Sequence, residues 1–334
     1  MKNIIKSIGL CFGLGLALQA CDDWTIPENE IIQNLEGNPK SEEYYEKLRA
    51  YKKSDHQIAF GWFGFWNGGT STSARGSLRS VPDSVDLVAL WGSTWNYQTM
   101  NQQKRNDLKY VQDKYGTKVV GTELLGAMGK SLPEDWKPEG ETEREQWISY
   151  GRALAQMALD AGLNGLDIDY EPGIGGPSVV GCPRGDDFLA FVEGCAQLLG
   201  PKSGSDKLLI VDGLFDFPKE CDQYFDYFIS QAYGTREARY LENRFNSVKT
   251  RIKPEQFIVT ENFESFWEKG GTDFYHPDLG TIPSLLGMAY WIPENCERKG
   301  GCGTFHMEYE YAHDPEYKFL RQAIQIMNPA NPNN

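Results

Sequence analysis

Apolar and β-branched runs recur through most of this chain, and helical patterns separate several of them. The runs cover residues 57–66, 85–92, 118–125, 163–171, 207–214, 225–234, 256–263 and 285–293. Each has the length and composition of a buried strand. Helical periodicity is clearest over 101–115, 141–161, 186–199 and 236–250, with 41–53 ahead of the first run and 315–327 at the end. Strands that alternate with helices predict a parallel sheet. Eight of them in one domain predict an α/β fold of the (β/α)8 TIM-barrel type over residues 41–328, better than an open doubly wound sheet. No Gly-x-Gly-x-x-Gly follows the first run, which speaks against dinucleotide binding. The segments 216–224 and 264–284 carry Pro218, Gly270-Gly271, Pro277 and Pro283. The barrel is therefore expected to have one or more helices shortened or missing, after strands five and seven first.

The fourth run reads Leu163-Asn164-Gly165-Leu166-Asp167-Ile168-Asp169-Tyr170-Glu171. Successive side chains of a strand point to opposite faces, so Asp167, Asp169 and Glu171 share one face, with Cα atoms roughly 6.5–7 Å apart along it. A row of carboxylates in an apolar strand is costly unless the groups are paired, protonated or at work. In a barrel of this type the reacting groups lie at the C-terminal ends of the strands. Glu171 is at that end, just before Pro172-Gly173, with Asp169 and Asp167 progressively deeper. This order places Glu171 as general acid, Asp169 as the group that orients a reacting atom or shares a proton, and Asp167 as its support.

Outside the barrel, residues 1–20 read as a secretory leader: Lys2 and Lys6, then an apolar run, then Leu18-Gln19-Ala20 before Cys21. The four residues ending in Cys21 resemble a bacterial lipobox, and Asp22-Asp23 behind it fit surface export. Cys21 is the expected lipidation site, residues 21–40 a flexible spacer, and 329–334 a disordered tail. The expectation is an outer-membrane lipoprotein held by its lipid and exposed at the cell surface. Losing Lys2 and Lys6 takes the net charge from −14 to −16. Such an acidic chain is a poor partner for nucleic acid or anionic headgroups. Disulfides are permitted outside the cytosol. Cys296 with Cys302, and Cys182 with Cys221, are the candidate pairs, while Cys195 lies in a helical stretch and reads as a buried thiol.

The segment 164–171 resembles the Asp-x-x-Asp-x-Asp-x-Glu signature of glycoside hydrolase family 18, the chitinases and endo-β-N-acetylglucosaminidases, with Asn164 at the first acidic position. Ser230-Gln231-Ala232-Tyr233-Gly234 resembles the family's sixth-strand motif, and Gly287-Met288-Ala289-Tyr290-Trp291 its eighth. Gln231, where chitinases carry Met, resembles the endo-β-N-acetylglucosaminidase branch. The resemblance implies a retaining, substrate-assisted reaction, to which the usual two-carboxylate scheme does not apply. Glu171 would protonate the glycosidic oxygen, the substrate's own 2-acetamido oxygen would attack, and Asp169 would orient that group and stabilise the charge of the oxazolinium-like intermediate. Tyr233 would hold the acetamido oxygen, and Trp291 would form the floor of the site. The implied substrate is the GlcNAc-β-1,4-GlcNAc core of N-glycans on glycoproteins, with outer-membrane glycan-uptake proteins as partners. Chitinase activity and glycan binding without catalysis are the alternatives.

Further candidates follow from position. Phe65, Trp66 and Trp91 lie at strand ends where sugars stack, while Trp62, earlier in its strand, belongs with the core. Glu123, Glu261 and Asn262 are candidates to bind sugar hydroxyls. Asp212 either lines the site or forms a salt bridge. The loop 67–73 is small and polar. His56, His276, His306 and His313 lack metal-ligand spacing, and no cofactor is expected.

Overall fold

In the computed structural model, which describes residues 40–69 and 74–329, eight parallel strands close into a barrel. They are β1 (Ile58–Phe63), β2 (Leu87–Leu90), β3 (Lys118–Leu124), β4 (Gly165–Tyr170), β5 (Leu208–Gly213), β6 (Tyr227–Gln231), β7 (Phe257–Asn262) and β10 (Gly301–Phe305). Each pairs with its sequence neighbour, and β10 closes the ring between β7 and β1. An antiparallel hairpin, β8 (Asp273–His276) with β9 (Gly280–Pro283), stands outside the ring. The proposed leader, Cys21, nearly all of the spacer, part of the 67–73 loop and the tail from 330 fall outside the described residues.

The helices start where side chains can cap them. Ser41 accepts from Tyr44 N at the start of α1 (Glu42–Lys52), and Asn101 accepts from Lys104 N at the start of α2 (Gln102–Tyr110). Thr142 and Glu145 form a capping box on α3 (Glu143–Asp160). Then come α4 (Gly185–Cys195), α5 (Ala238–Asn246), α6 (Phe263–Phe266), α7 (Ser284–Tyr290) and α8 (Lys318–Met327). Between β5 and β6 there is only a 3-10 turn, Lys219–Tyr224, as the breakers predict. The segment between β1 and β2 also carries only 3-10 turns among its described residues. After β7 the crossover holds α6, the hairpin and the seven-residue α7.

The eighth strand requires a correction. Residues 284–290 are helical, and the strand is the later segment Gly301-Cys302-Gly303-Thr304-Phe305. Burial around α7 follows a helical period: Leu285, Met288 and Ala289 are buried, while Leu286 and Tyr290, four apart, face outward. A short apolar run alone does not distinguish this from a strand. The true strand is poor in apolar side chains because the backbones run close. A Cβ at Gly303 would stand 2.1 Å from the Phe60 carbonyl oxygen.

Two apolar layers result. Phe60, Trp62, Leu87, Ala89, Val120, Leu208, Ile210, Ile229 and Ile258 fill the barrel. Leu166, Ile168 and Tyr170 belong to the larger layer shared with the helices, so the carboxylates of β4 face inward, as the alternation predicts.

The expected disulfides are not formed. Cys182, Cys195, Cys221, Cys296 and Cys302 are all free thiols. Cys302 is a strand residue packed into the helix layer, while Cys296 lies in the preceding loop with its Sγ on Glu294 O. Cys221 is buried in the 3-10 turn, and burial pushes its thiol up to about 12. Cys182 instead points its Sγ at the Pro183 carbonyl. Cys195, the expected buried thiol, donates to Gly151 O at 3.3 Å.

Candidate active site

The mouth of the barrel is built from β4, β5 and β6. Asp167 and Asp169 are buried on β4, and Glu171, just past the strand end, is partly exposed. The Glu171 carbonyl accepts from Ile174 N and Gly175 N, which closes the turn at Pro172-Gly173. Gly213 at the end of β5 has φ +88°, and its ideal Cβ position is only 3.2 Å from Glu171 Cγ. Its lack of a side chain leaves room for the acid to lie over the mouth.

Below it, Asp167 Oδ2 accepts from Trp62 Nε1 at 2.9 Å and from Thr122 Oγ1 at 3.0 Å. Trp62 is core by burial, as its position suggests, but its indole also has this polar task. Burial raises the Asp167 carboxyl to about 6 against those donors. Asp169 is held well above the usual carboxylate range, first by burial and then by the charges of Glu171 and Asp167. Asp212 is buried opposite Asp169 in the β4–β5 register, and among the described residues no cation pairs with it. Its Oδ1 accepts from Gln231 Nε2 at 2.7 Å. Gln231 therefore holds a second layer of the site. Tyr233 faces Asp212, Asp169, Glu171 and Glu261; burial and then their negative charge keep its hydroxyl protonated. That hydroxyl has no hydrogen-bond partner among the described residues.

Several expected contacts lie elsewhere. Trp291 follows α7 and is buried in the outer layer against Phe257, so it is not a strand-end platform. The aromatic at the end of β10 is Phe305, whose ring is 5.3 Å from Trp91 and 6.1 Å from both Trp62 and Tyr233. His306, the next residue, has a left-handed backbone (φ 56°), and its Nδ1 lies 2.6 Å from Glu308 Oε1. This kink fixes the direction of Phe305. Trp66 is 2% exposed and donates to Asp107, so it is structural. Phe65 is 52% exposed, with its ring near His306 and Tyr309.

Glu261 points outward from β7 and is spent on the scaffold. It accepts from Gly234 N (2.9 Å), Asn262 N (2.7 Å) and Ser284 Oγ, and so steadies the turn behind Tyr233. Asn262 caps α6 through Ser265 N. Glu123 also points outward, and its Oε1 accepts from Ser131 Oγ at 2.7 Å. It lines a cavity of about 300 Å3 with Trp91, Trp95 and Lys130, and burial pushes its carboxyl up to about 7. Asn164 keeps the strand support expected of the first acidic position: its Oδ1 accepts from Val119 N and Gln112 Nε2.

Phe305 was missed because its strand was misplaced. Asp212 was legible only as one of two options. The signal that decides it is parity, since 208, 210 and 212 alternate inward beside 167 and 169.

A family model described as glycoside hydrolase family 18, BT1044-like, matches residues 25–326. The chain is 27% identical to endo-β-N-acetylglucosaminidase F2 of Elizabethkingia meningoseptica, over 98% of this chain and 100% of that protein. Among solved structures, a selenomethionine form of BT1044 carrying a Glu-to-Gln substitution superposes with a TM-score of 0.74 at 28% identity, over 86% of this chain and 93% of the other. An endo-β-N-acetylglucosaminidase of Cordyceps militaris shares the fold, with a TM-score of 0.65 at 23% identity over 88% and 99% of the two chains. An acid row on β4, a tyrosine facing it from the turn after β6 and a family match across nearly the whole barrel lead to one assignment: the chain belongs to glycoside hydrolase family 18, in its BT1044-like group.

Proposed function

We propose that the protein is an endo-β-N-acetylglucosaminidase that cleaves the GlcNAc-β-1,4-GlcNAc core of N-glycans with retention. The observation that carries this reading is the arrangement of Glu171, Asp169 and Tyr233 around one mouth, with an acid at the rim, a carboxyl beneath it and an unpartnered phenol facing both. Two carboxyl groups adjacent on one strand leave no room for attack from opposite faces of a sugar by two protein groups. The second nucleophile is then supplied by the substrate. Glu171 donates its proton to the glycosidic oxygen, and the C1–O bond breaks as the acetamido oxygen bonds to C1. Asp169 accepts from the acetamido N–H, and Tyr233 donates to its oxygen. Water then gives a proton back to Glu171 and opens the ring from the original face. Phe305 forms the floor under the cleaved sugar. Trp91 and Phe65 contact outer parts of the glycan.

Lipidation at Cys21 and display at the outer-membrane surface belong to the same proposal, supported by the leader and Cys21 in the sequence. A surface enzyme would hand released glycans to uptake proteins in that membrane. Mass spectrometry of glycans released from high-mannose and complex glycoproteins tests the activity: products ending in a single reducing GlcNAc are expected, and cleavage of chitin oligomers alone would overturn it. A Cys21→Ala variant should leave the membrane fraction, and unchanged partitioning would refute the anchor.

A further inference from the structure

Glu171 stands at the start of the loop that joins β4 to α4. Four glycines between positions 173 and 181 give this loop much backbone freedom to lose. Its first residue keeps a fixed direction only if the rest is held. A Cβ at Gly175 would stand 3.3 Å from Glu171 Oε2 and 2.5 Å from Val179 Cγ1. The acid's carboxyl and the buried Val179 side chain therefore close on the same face of Gly175. Ser178, next to Val179, is held from outside the loop. Its carbonyl accepts from Lys130 Nζ at 2.8 Å, and the same ammonium donates to Leu124 O, at the end of β3, at 2.9 Å. Leu124 is itself fixed by the barrel, since the next amide, Leu125 N, donates to Asp169 O at 3.0 Å. The two loops touch at this junction: a Cβ at Gly126 would stand 2.6 Å from Ser178 O and 2.9 Å from Lys130 Cδ, so the lysine lies folded over Gly126. Among the described residues, no other hydrogen bond reaches 172–181 from outside the loop.

We infer that Lys130 is a positioning residue for the acid: it straps Ser178 to the end of β3 and, through Val179 and Gly175, sets the place of the Glu171 carboxyl. This rests on the reading of Glu171 as proton donor given above. An acid must meet the glycosidic oxygen at hydrogen-bond distance, and a misplacement of about 1 Å can cost about 10^2-fold in rate. A lysine suits the task. Leu124 O and Ser178 O are both acceptors and cannot bond each other, while an ammonium has three donors and serves both at once. Lys130 bonds these two carbonyls and takes no part in the bond changes of the reaction. It also faces Asp169 and Glu123 as a charge. Position and charge make different predictions, because the acid is needed only where the leaving group needs a proton, whereas Asp169 serves every substrate with an acetamido group.

The test is Lys130→Met in the full chain, which keeps the stem over Gly126 and removes the donor. Lys130 is exposed, so the variant is expected to fold. Two substrates are compared in single turnovers with enzyme in excess. One is an N-glycopeptide, whose leaving sugar needs the Glu171 proton. The other is the same glycan as its dinitrophenyl glycoside, whose leaving group departs as a stable anion. The strap predicts a rate loss of about 10-fold on the glycopeptide, with half-saturation within about threefold. Release of dinitrophenolate should fall by less than about twofold. Lys130→Arg should recover part of the glycopeptide loss. Gly126→Ala keeps the cation and forces Ser178 O away, so it must show the same dependence on leaving group. Equal losses on both substrates overturn the proposal, since Lys130 would then act through its charge on Asp169. A loss in Lys130→Met with Gly126→Ala at wild-type rates overturns it for the same reason. So does a lowered melting temperature with both rates intact, the signature of a merely structural strap. Failure of the underlying reading looks different: the wild type would cleave neither substrate, or Glu171→Gln would cleave the glycopeptide at the wild-type rate.

Discussion

A single buried carboxyl group on β7 and a cluster of three on β4 and β5 have opposite environments. Glu261 on β7 is surrounded by donors: Gly234 N, Asn262 N and Ser284 Oγ satisfy both of its oxygens. The β4–β5 group of Asp167, Asp169 and Asp212 is short of donors, and each residue keeps one buried oxygen without a partner. Burial raises the proton affinity at both places, but for Glu261 the surrounding donors oppose that rise. A satisfied carboxylate contributes to the scaffold. An unsatisfied row costs stability, and such clusters of perturbed groups are found at functional sites.

The sharpest way to break the contrast is at the rim. Glu171→Gln should lower hydrolysis by roughly 10^2- to 10^4-fold with an unchanged melting temperature; glycan release at wild-type rate would remove Glu171 from the chemistry. Asp169→Asn should slow the reaction less and make sugar oxazolines better donors for transfer than for hydrolysis. Absence of any transfer product by mass spectrometry would count against its assigned role. On the scaffold side, Glu261→Ala leaves the donors of Gly234, Asn262 and Ser284 unmatched. Denaturant unfolding should show a loss of about 3 kcal/mol, with the folded enzyme still active.

Glu123 gives a smaller, pH-dependent version of the same contrast. Its carboxyl is raised in the folded state from 4.5 to about 7 by burial. The folded protein therefore holds a proton that the unfolded chain has lost. The stability this contributes is fully present below about pH 4.5 and lost as pH rises through about 7. Glu123→Gln should be more stable than the wild type at pH 8 by about 1–3 kcal/mol, with the difference closing toward pH 4.5. A thermal scan at the two pH values checks the sign. The smallest effect is expected at Asn164→Ala, which removes acceptors for Val119 N and Gln112 Nε2. It should cost about 1 kcal/mol with activity retained.

Much of this was legible before any tertiary information. Seven strands and the helices over 41–53, 101–115 and 141–161 announced themselves by periodicity, and the structure adds the caps Ser41, Asn101 and Thr142. The inward row on β4 followed from alternation alone. Position 285–293 misled because an apolar run with a helical burial period looks like a strand until the neighbouring layer is known. Glu123 and Glu261 misled by one residue of parity: their neighbours Thr122 and Thr260 face inward, and they face the helices. The thiol pairs failed because spacing in sequence says nothing of which way Cys302 points on a strand.

The amino-acid sequence by itself determined the barrel and the acid row, because both are written in local periodicities of two and 3.6 residues. It also carried Tyr233 through a short motif. Only the tertiary structure decided which aromatic lies beside Trp91 and Tyr233, which glutamates are scaffold and where Asp212 lies. Those outcomes depend on register between strands far apart in the chain: Asp212 opposite Asp169, and Phe305 beside Trp91 at the point where the barrel closes. No local pattern encodes that register, since it is set by packing of the whole ring.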